Sequence, residues 1–191
     1  MTLLIFNIGL FIGFILTIGL VIDILIPTFD LWPHTDWGFL GVLEAILWVA
    51  FYAATLATWV LGLPPFTEFS ALAWLGLVLF ILGTAFLIWA MVTLKIHVSL
   101  GVKGELVISG PYRLCRNPQT TGLFVQLLGA LLMTFSPFLA LLASVQVAVL
   151  VLAVVKEERW LEEQYGEDYR EYQEEVPRRF VLDIHKVKTA D

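Results

Sequence analysis

Three uninterrupted apolar runs dominate the first half of the chain and leave little freedom in what it can fold into. Residues 3–26, 38–61 and 71–94 are each 24 residues long, and each carries at most one acidic or basic side chain. About 20 such residues cross the hydrocarbon of a bilayer as an α-helix, which satisfies its own backbone polar groups without water. With 59% of residues hydrophobic and 15% charged, the chain has too little polar surface to cover a soluble core of its size. The composition predicts an all-α integral membrane protein. A cleaved signal is a poor reading of the first run, because no Lys or Arg precedes it and its apolar stretch is about twice the usual length.

The second half holds two shorter runs. Residues 118–135 and 138–155 are each 18 long and are split only by Ser136 and Pro137. At about 1.5 Å per residue each reaches roughly 27 Å, so the spacing predicts a tight antiparallel helical hairpin that barely crosses. Asn117 followed by Pro118 is a helix start, with Asn as cap and Pro in the first turn where its missing N–H costs nothing. Five transmembrane helices result. All eleven Lys and Arg then lie on one side, Lys95, Lys103, Arg113 and Arg116 before the hairpin and Lys156 onward after it. By the positive-inside bias that side is cytoplasmic, with the C-terminus in the cytoplasm and the N-terminus outside. The expected organisation is three N-terminal spans in residues 1–94 and a catalytic region in residues 95–191, together one structural domain.

Polar residues within the runs sit near their ends. Asp23 and Glu44 adjoin the same short connection, where Asp23 either snorkels to the interface or faces a cavity. Trp32, Trp37, Trp59 and Trp74 fall near run ends, as interfacial anchors do. Past Val155 a helix continues out of the membrane, since Leu161, Tyr165, Tyr169 and Tyr172 recur at helical spacing among charges. It should stop near Val176 and Pro177, with a kink or break at Gly166.

The net charge of -6 belongs to one segment, because residues 156–175 hold nine acids and three bases and the remainder is balanced. No basic stripe is present to meet phosphates, which argues against nucleic acid as a partner. A single cysteine, Cys115, excludes an intramolecular disulfide, and with histidines only at 34, 97 and 185 no metal site is expected.

Residues 110–122 form the longest polar-rich interval before the tail, a costly place for charge between two apolar runs. The hairpin brings Tyr112, Arg113, Arg116 and Asn117 at its start to Glu157, Glu158 and Arg159 at its end. Arginines and free helix N–H groups suit an anionic group, and paired glutamates suit an ammonium or ribose hydroxyls. The competing account is a surface salt-bridge network at a helix mouth.

Gly110-Pro111-Tyr112, Arg116-Asn117-Pro118 and Gly122, followed by Glu157-Glu158, Leu161, Tyr165-Gly166, Tyr169, Tyr172 and Val176-Pro177-Arg178, resemble the paired signatures of the isoprenylcysteine carboxyl methyltransferase and phospholipid methyltransferase superfamily. The resemblance implies S-adenosylmethionine as methyl donor and a lipophilic acceptor arriving through the bilayer: an isoprenylcysteine carboxylate, a phospholipid amine or another small hydrophobic molecule. It places Gly110, Tyr112, Arg116, Asn117, Glu157 and Glu158 around the cofactor. Arg116, Glu158 and Arg178 are its candidate catalytic residues, with Arg178 or Arg179 reaching back to orient a carboxylate or phosphate. Asn117 stands where related sequences often carry His, so this position has no titratable base. Gly104 or Glu105, and Thr120, stand at a His and a Tyr position of the pattern. Two alternatives remain open on the residues: a sterol-type membrane reductase using reduced nicotinamide, and a non-catalytic membrane scaffold that binds neither cofactor.

Overall fold

The computed structural model describes residues 1–26, 38–94 and 106–178. The connection carrying Trp32, His34 and Trp37, the segment with Lys95, His97, Lys103, Gly104 and Glu105, and the tail from Arg179 on lie outside them.

Among the described residues the structure is all-helical. The first three runs form α1 (Thr2–Leu25), α2 (Phe39–Gly62) and α3 (Ala71–Leu94), and a short 3-10 turn, Phe66–Glu68, links α2 to α3. A second such turn, Gly110–Arg113, leads into α4 (Pro118–Thr134), which is followed by α5 (Pro137–Tyr165) and α6 (Glu167–Glu175). Four of these helices, α1, α2, α3 and α5, are long and apolar enough to cross a membrane. The helix α4, at 17 residues, is a turn or more shorter than the others of the bundle. Large side chains such as Leu4, Phe11, Phe39, Val49 and Val92 face outward. On a soluble surface so many would be an aggregation hazard; against lipid tails they are the expected coat.

Local chemistry sets the helix ends. Pro137 opens α5 behind Ser136, whose hydroxyl accepts from Leu139 N at 3.3 Å. The helix runs on past Val155 to Tyr165, as the tyrosine spacing predicts. It breaks at Gly166, which holds φ +56° with nothing within 4 Å of where a Cβ would sit, so glycine serves the backbone there rather than packing.

The bundle has two differently built parts. On one side α1 lies parallel to α5 and antiparallel to α2. The buried face of α1 is Phe6, Gly9, Gly13, Leu16, Leu20 and Asp23, spaced by threes and fours, and its Phe6, Leu16 and Leu20 pack with Phe51 of α2 and with Leu142, Val149 and Ala153 of α5. On the other side α3 and α4 run antiparallel in backbone contact. Every buried residue of α3 is Ala or Gly: Ala73, Gly76, Gly83 and Ala90. Gly76 faces Gly129, and Gly83 faces Gly122. A Cβ on Gly83 would sit 2.5 Å from Gln126 N, and one on Gly129 would sit 2.5 Å from Gly76 O. Small residues seven apart on both helices let the axes approach until only backbone separates them. Gln126 adds a hydrogen bond to Thr84 Oγ1 at 2.9 Å within the apolar seam.

This pairing alters the expected hairpin. The turn between α4 and α5 is as tight as predicted, with Phe135 in the left-handed region at φ 47°. Along its length, however, α4 packs mainly on α3, because its glycine face matches the small face there, while α5 packs mainly on α1. Trp59, within a turn of the end of α2, stacks its ring on Phe80 of α3 with centroids 4.4 Å apart.

Asp23 does not snorkel. Its carboxylate is fully buried and accepts from Lys156 Nζ at 3.0 Å, joining α1 to α5 one residue before the glutamate pair.

Candidate active site

The bundle end that holds Asp23 also holds the start of α4, the polar end of α5 and the fold-back of α6. Leading into α4, Gly110 takes φ +59° against Thr93 at the end of α3, starting the 3-10 turn that buries Pro111 and Tyr112. Gln119 Nε2 donates to the Tyr112 hydroxyl at 3.1 Å. Cys115 is buried, with its sulfur 3.7 Å from Thr121 Oγ1, and burial raises its thiol above the ordinary range. It packs as a small neutral side chain.

Asn117 stands at the N-cap position of α4, as its place before Pro118 predicts, but its side chain makes no cap bond. Its amide instead donates to Glu158 Oε1 at 3.1 Å, across from α4 to α5. The other oxygen of Glu158 accepts from Arg178, from Nε at 2.8 Å and also from Nη2. These hydrogen bonds hold the guanidinium above its already high ordinary pKa. Both oxygens of Glu158 are therefore engaged by side chains from the two flanking segments, and the carboxylate is buried. Arg178 does reach back to this mouth; Arg179, its alternative, lies outside the described residues.

The segment that brings Arg178 here is anchored twice. Arg116 N donates to Pro177 O at 2.9 Å, and the Tyr172 hydroxyl donates to Tyr112 O at 2.6 Å. Tyr169, Tyr172 and Val176 form a small core beneath, with Leu106, Leu161 and Tyr165 against it. Burial raises the Tyr112 and Tyr172 hydroxyls, and burial with the charge of Glu158 raises Tyr169 to about 12. All three are neutral near pH 7 and act as hydrogen-bonding groups, not as bases.

Two groups in this mouth are unlike the rest. Glu157, half-buried beside Glu158 and close enough to Tyr112 for their charges to interact, makes no hydrogen bond among the described residues. Arg116 has its Nε buried without a hydrogen-bond partner. The carboxylate next to Glu158 in the chain is unbonded and the guanidinium next to Asn117 has an unspent N–H, and groups of these two kinds are what a zwitterionic ligand pairs with. S-Adenosylmethionine, with its carboxylate, ammonium and ribose hydroxyls, fits that donor and acceptor set.

Seven of the residues singled out in the sequence gather here, while Arg113 and Arg159, expected beside them, have exposed side chains. Gly110 and Tyr112 shape the turn, Asn117, Glu158 and Arg178 are bonded to one another, and Arg116 and Glu157 retain open capacity. The sequence reading missed the Pro177 carbonyl and Gln119, which lie in the same motifs but act through backbone or local bonds that residue type does not announce. It also missed the Asp23–Lys156 pair. An acid and a base near the same end of two apolar runs were the available signal.

The phospholipid methyltransferase family model matches residues 71–168, more than half of the 191-residue chain. The match takes in α3, α4 and α5 and the mouth from Gly110 to Glu158, and stops just short of Tyr169, Tyr172 and Arg178. Comparison with curated proteins and with solved structures gave no match. The family is part of the superfamily that the paired motifs resemble. The chain belongs to the phospholipid methyltransferase family of membrane methyltransferases, whose methyl donor is S-adenosylmethionine.

Proposed function

We propose that the mouth formed by Gly110, Tyr112, Arg116, Asn117, Glu157 and Glu158 holds S-adenosylmethionine, and that the acceptor is a phospholipid amine reaching it from the bilayer. The observation that carries this reading is the open capacity of Arg116 and Glu157 beside a saturated Glu158. Bound there, the cofactor supplies an electrophilic methyl group on a sulfonium, and its transfer is an in-line displacement that demands positioning above all. Arg116 binds the carboxylate end, and Arg178, adjoining it on Glu158, reinforces the positive side. Glu157 takes the ammonium or the ribose hydroxyls. Glu158 holds Asn117 and Arg178 at fixed distance, and the strap of Val176, Pro177 and Arg178 shields the site from water.

A phospholipid is favoured over an isoprenylcysteine carboxylate because it is the acceptor class that the family description names, and an amine is the nucleophile that a phospholipid headgroup can offer to a methyl donor. We read α4 as a fifth crossing. It runs antiparallel beside the 24-residue α3, and α5 returns from its far end. On that reading residues 1–94 and 95–191 work as one domain, interleaved through α1 on α5 and α3 on α4. All Lys and Arg then lie on the mouth side, which the positive-inside bias makes cytoplasmic.

The test is methyl transfer from isotopically labelled S-adenosylmethionine by the detergent-purified protein, offered either a primary-amine phospholipid or a prenylated cysteine with a free carboxylate. Label in the amine lipid alone is the expected result. Label in the carboxylate alone would overturn the acceptor assignment.

A further inference from the structure

The helix α5 carries four consecutive ionisable residues at the mouth, Lys156 to Arg159, and the first three each meet a different environment. Lys156 turns to α1 and binds the buried Asp23 at 3.0 Å. Glu158 turns to the start of α4 and to the strap, and binds Asn117 and Arg178. Successive residues are about 100° apart around a helix, so these two anchors bracket Glu157, which lies angularly between them. The two anchors fix the rotation of α5. The residue between them makes no hydrogen bond among the described residues.

We propose that Asp23 is a positioning residue for methyl transfer: its ion pair with Lys156 sets the rotation and height of α5 so that Glu157 is presented to the ligand. This rests on the placement of the cofactor argued above, and adds to it a residue of α1, outside the family-matched segment. The physical grounds are burial and position. An Asp whose side chain is 0% exposed does nothing for solubility, and an ion pair buried this way seldom adds stability over apolar residues of the same shape. It does impose a direction. A charged Lys156 has to face Asp23, and with Lys156 held, Glu157 cannot swing. The apolar packing of α1 on α5 reaches Leu20 and Ala153, about a turn before Asp23 and Lys156, and the ion pair carries the joint on from there to the polar end of α5. A rotation of about 10° moves a side-chain tip near the helix surface by on the order of 1 Å. A displacement of that size at a reacting centre costs up to about a hundredfold in rate.

The experiment compares S-adenosylmethionine affinity by calorimetry with thermal melting, in detergent-purified full-length protein. Asp23→Leu with Lys156→Met removes the pair while keeping its volume. This variant is expected to melt near the wild-type temperature and to bind about tenfold or more weakly. The exchanged pair, Asp23→Lys with Lys156→Asp, is expected to restore affinity to within a few-fold. A merely structural role would move the melt and leave the affinity of the folded protein unchanged, so wild-type affinity in the apolar variant overturns the proposal. So does a loss of affinity that the exchanged pair leaves unrepaired. Should the apolar variant fail to fold, Asp23→Glu decides. It keeps the pair but lengthens it by one methylene, and is expected to weaken binding several-fold, whereas unchanged affinity overturns the proposal. Glu157→Gln, run in parallel, separates the two layers of argument. Wild-type affinity in that variant removes the cofactor placement and the inference with it, while loss there with no loss in the apolar pair removes the inference alone.

Discussion

The two halves of the bundle are held by opposite means. The α3–α4 pair is joined backbone to backbone, through glycines whose Cβ would strike the facing main chain, whereas α1, α2 and α5 are joined by bulky side chains, with Phe51 and Val145 seated in the gap that Gly13 leaves. Lipid tails are as apolar as leucine, so neither half gains from hiding hydrophobic surface, and both depend on packing. The glycine pair gains it by proximity and tolerates no addition. The side-chain half gains it by interdigitation and tolerates no deletion. The mouth is strung between them, with Arg116 and Asn117 on the glycine half and Glu157 and Glu158 on the other. The Asn117–Glu158 bond and the strap carrying Arg178 tie the halves together where the cofactor is placed.

That contrast can be broken from either side, and the largest effect is expected from adding to the glycine half. Gly83→Leu drives a side chain into the backbone of α4, where a Cβ already meets Gln126 N at 2.5 Å. Overpacking against movable side chains costs about 1–3 kcal/mol; here the neighbour is backbone and cannot yield, so failure to recover folded protein is expected by size-exclusion chromatography. In the other half the damaging change is deletion. Phe51→Ala opens a cavity at a residue with no exposure and is expected to cost about 3 kcal/mol or more in reversible detergent unfolding, with the fold retained. If Gly83→Leu proved milder than Phe51→Ala, the distinction between the halves would be lost.

Smaller effects sharpen the account of what ties the halves. Tyr172→Phe removes the hydroxyl bonded to Tyr112 O at 2.6 Å and leaves that carbonyl short of a partner. A loss of about 1–3 kcal/mol is expected, local to the strap, and hydrogen exchange should show faster opening of α6 while the amides of α3 and α4 are unchanged. The smallest effect is alkaline. Tyr169 is raised from its ordinary value of 10.0 to about 12 by burial and by Glu158, so above pH 10 an unfolded chain releases this proton before the folded one does. Stability from this residue is therefore complete below about pH 10 and declines as pH rises toward 12. The melting temperature should be less sensitive to alkali in Tyr169→Phe than in the wild type.

Much of this was legible in the sequence, for definite reasons. Long apolar runs and punctuation at Asn117, Pro137, Gly166 and Val176 set the helices, because those residues act on the chain locally. The gathering of two polar clusters followed from one turn at Ser136 and Pro137. What was not legible was which helix embraces which. Gly76 and Gly83, and Gly122 and Gly129, stand seven apart in plain view, but a spacing within one run does not name its partner, and α4 was read as pairing with α5 when its closest partner is α3. Asn117 was read as a cap because residue type and position allow it; a carboxylate 41 positions away outcompeted the local backbone for its side chain. Asp23 sits where the sequence allows an interfacial acid or a cavity-facing one, and its partner 133 residues distant becomes visible only when α1 and α5 lie side by side.

The most direct test of the central claim is calorimetric titration of S-adenosylmethionine into the detergent-purified wild type and into the Glu157→Gln, Glu158→Gln double variant, each checked for folding by circular dichroism. The account predicts saturable binding to the wild type and none to the folded double variant, because both the open carboxylate and the one that positions Asn117 and Arg178 have lost their charge. Wild-type affinity in a folded double variant would contradict it and move the cofactor away from this mouth.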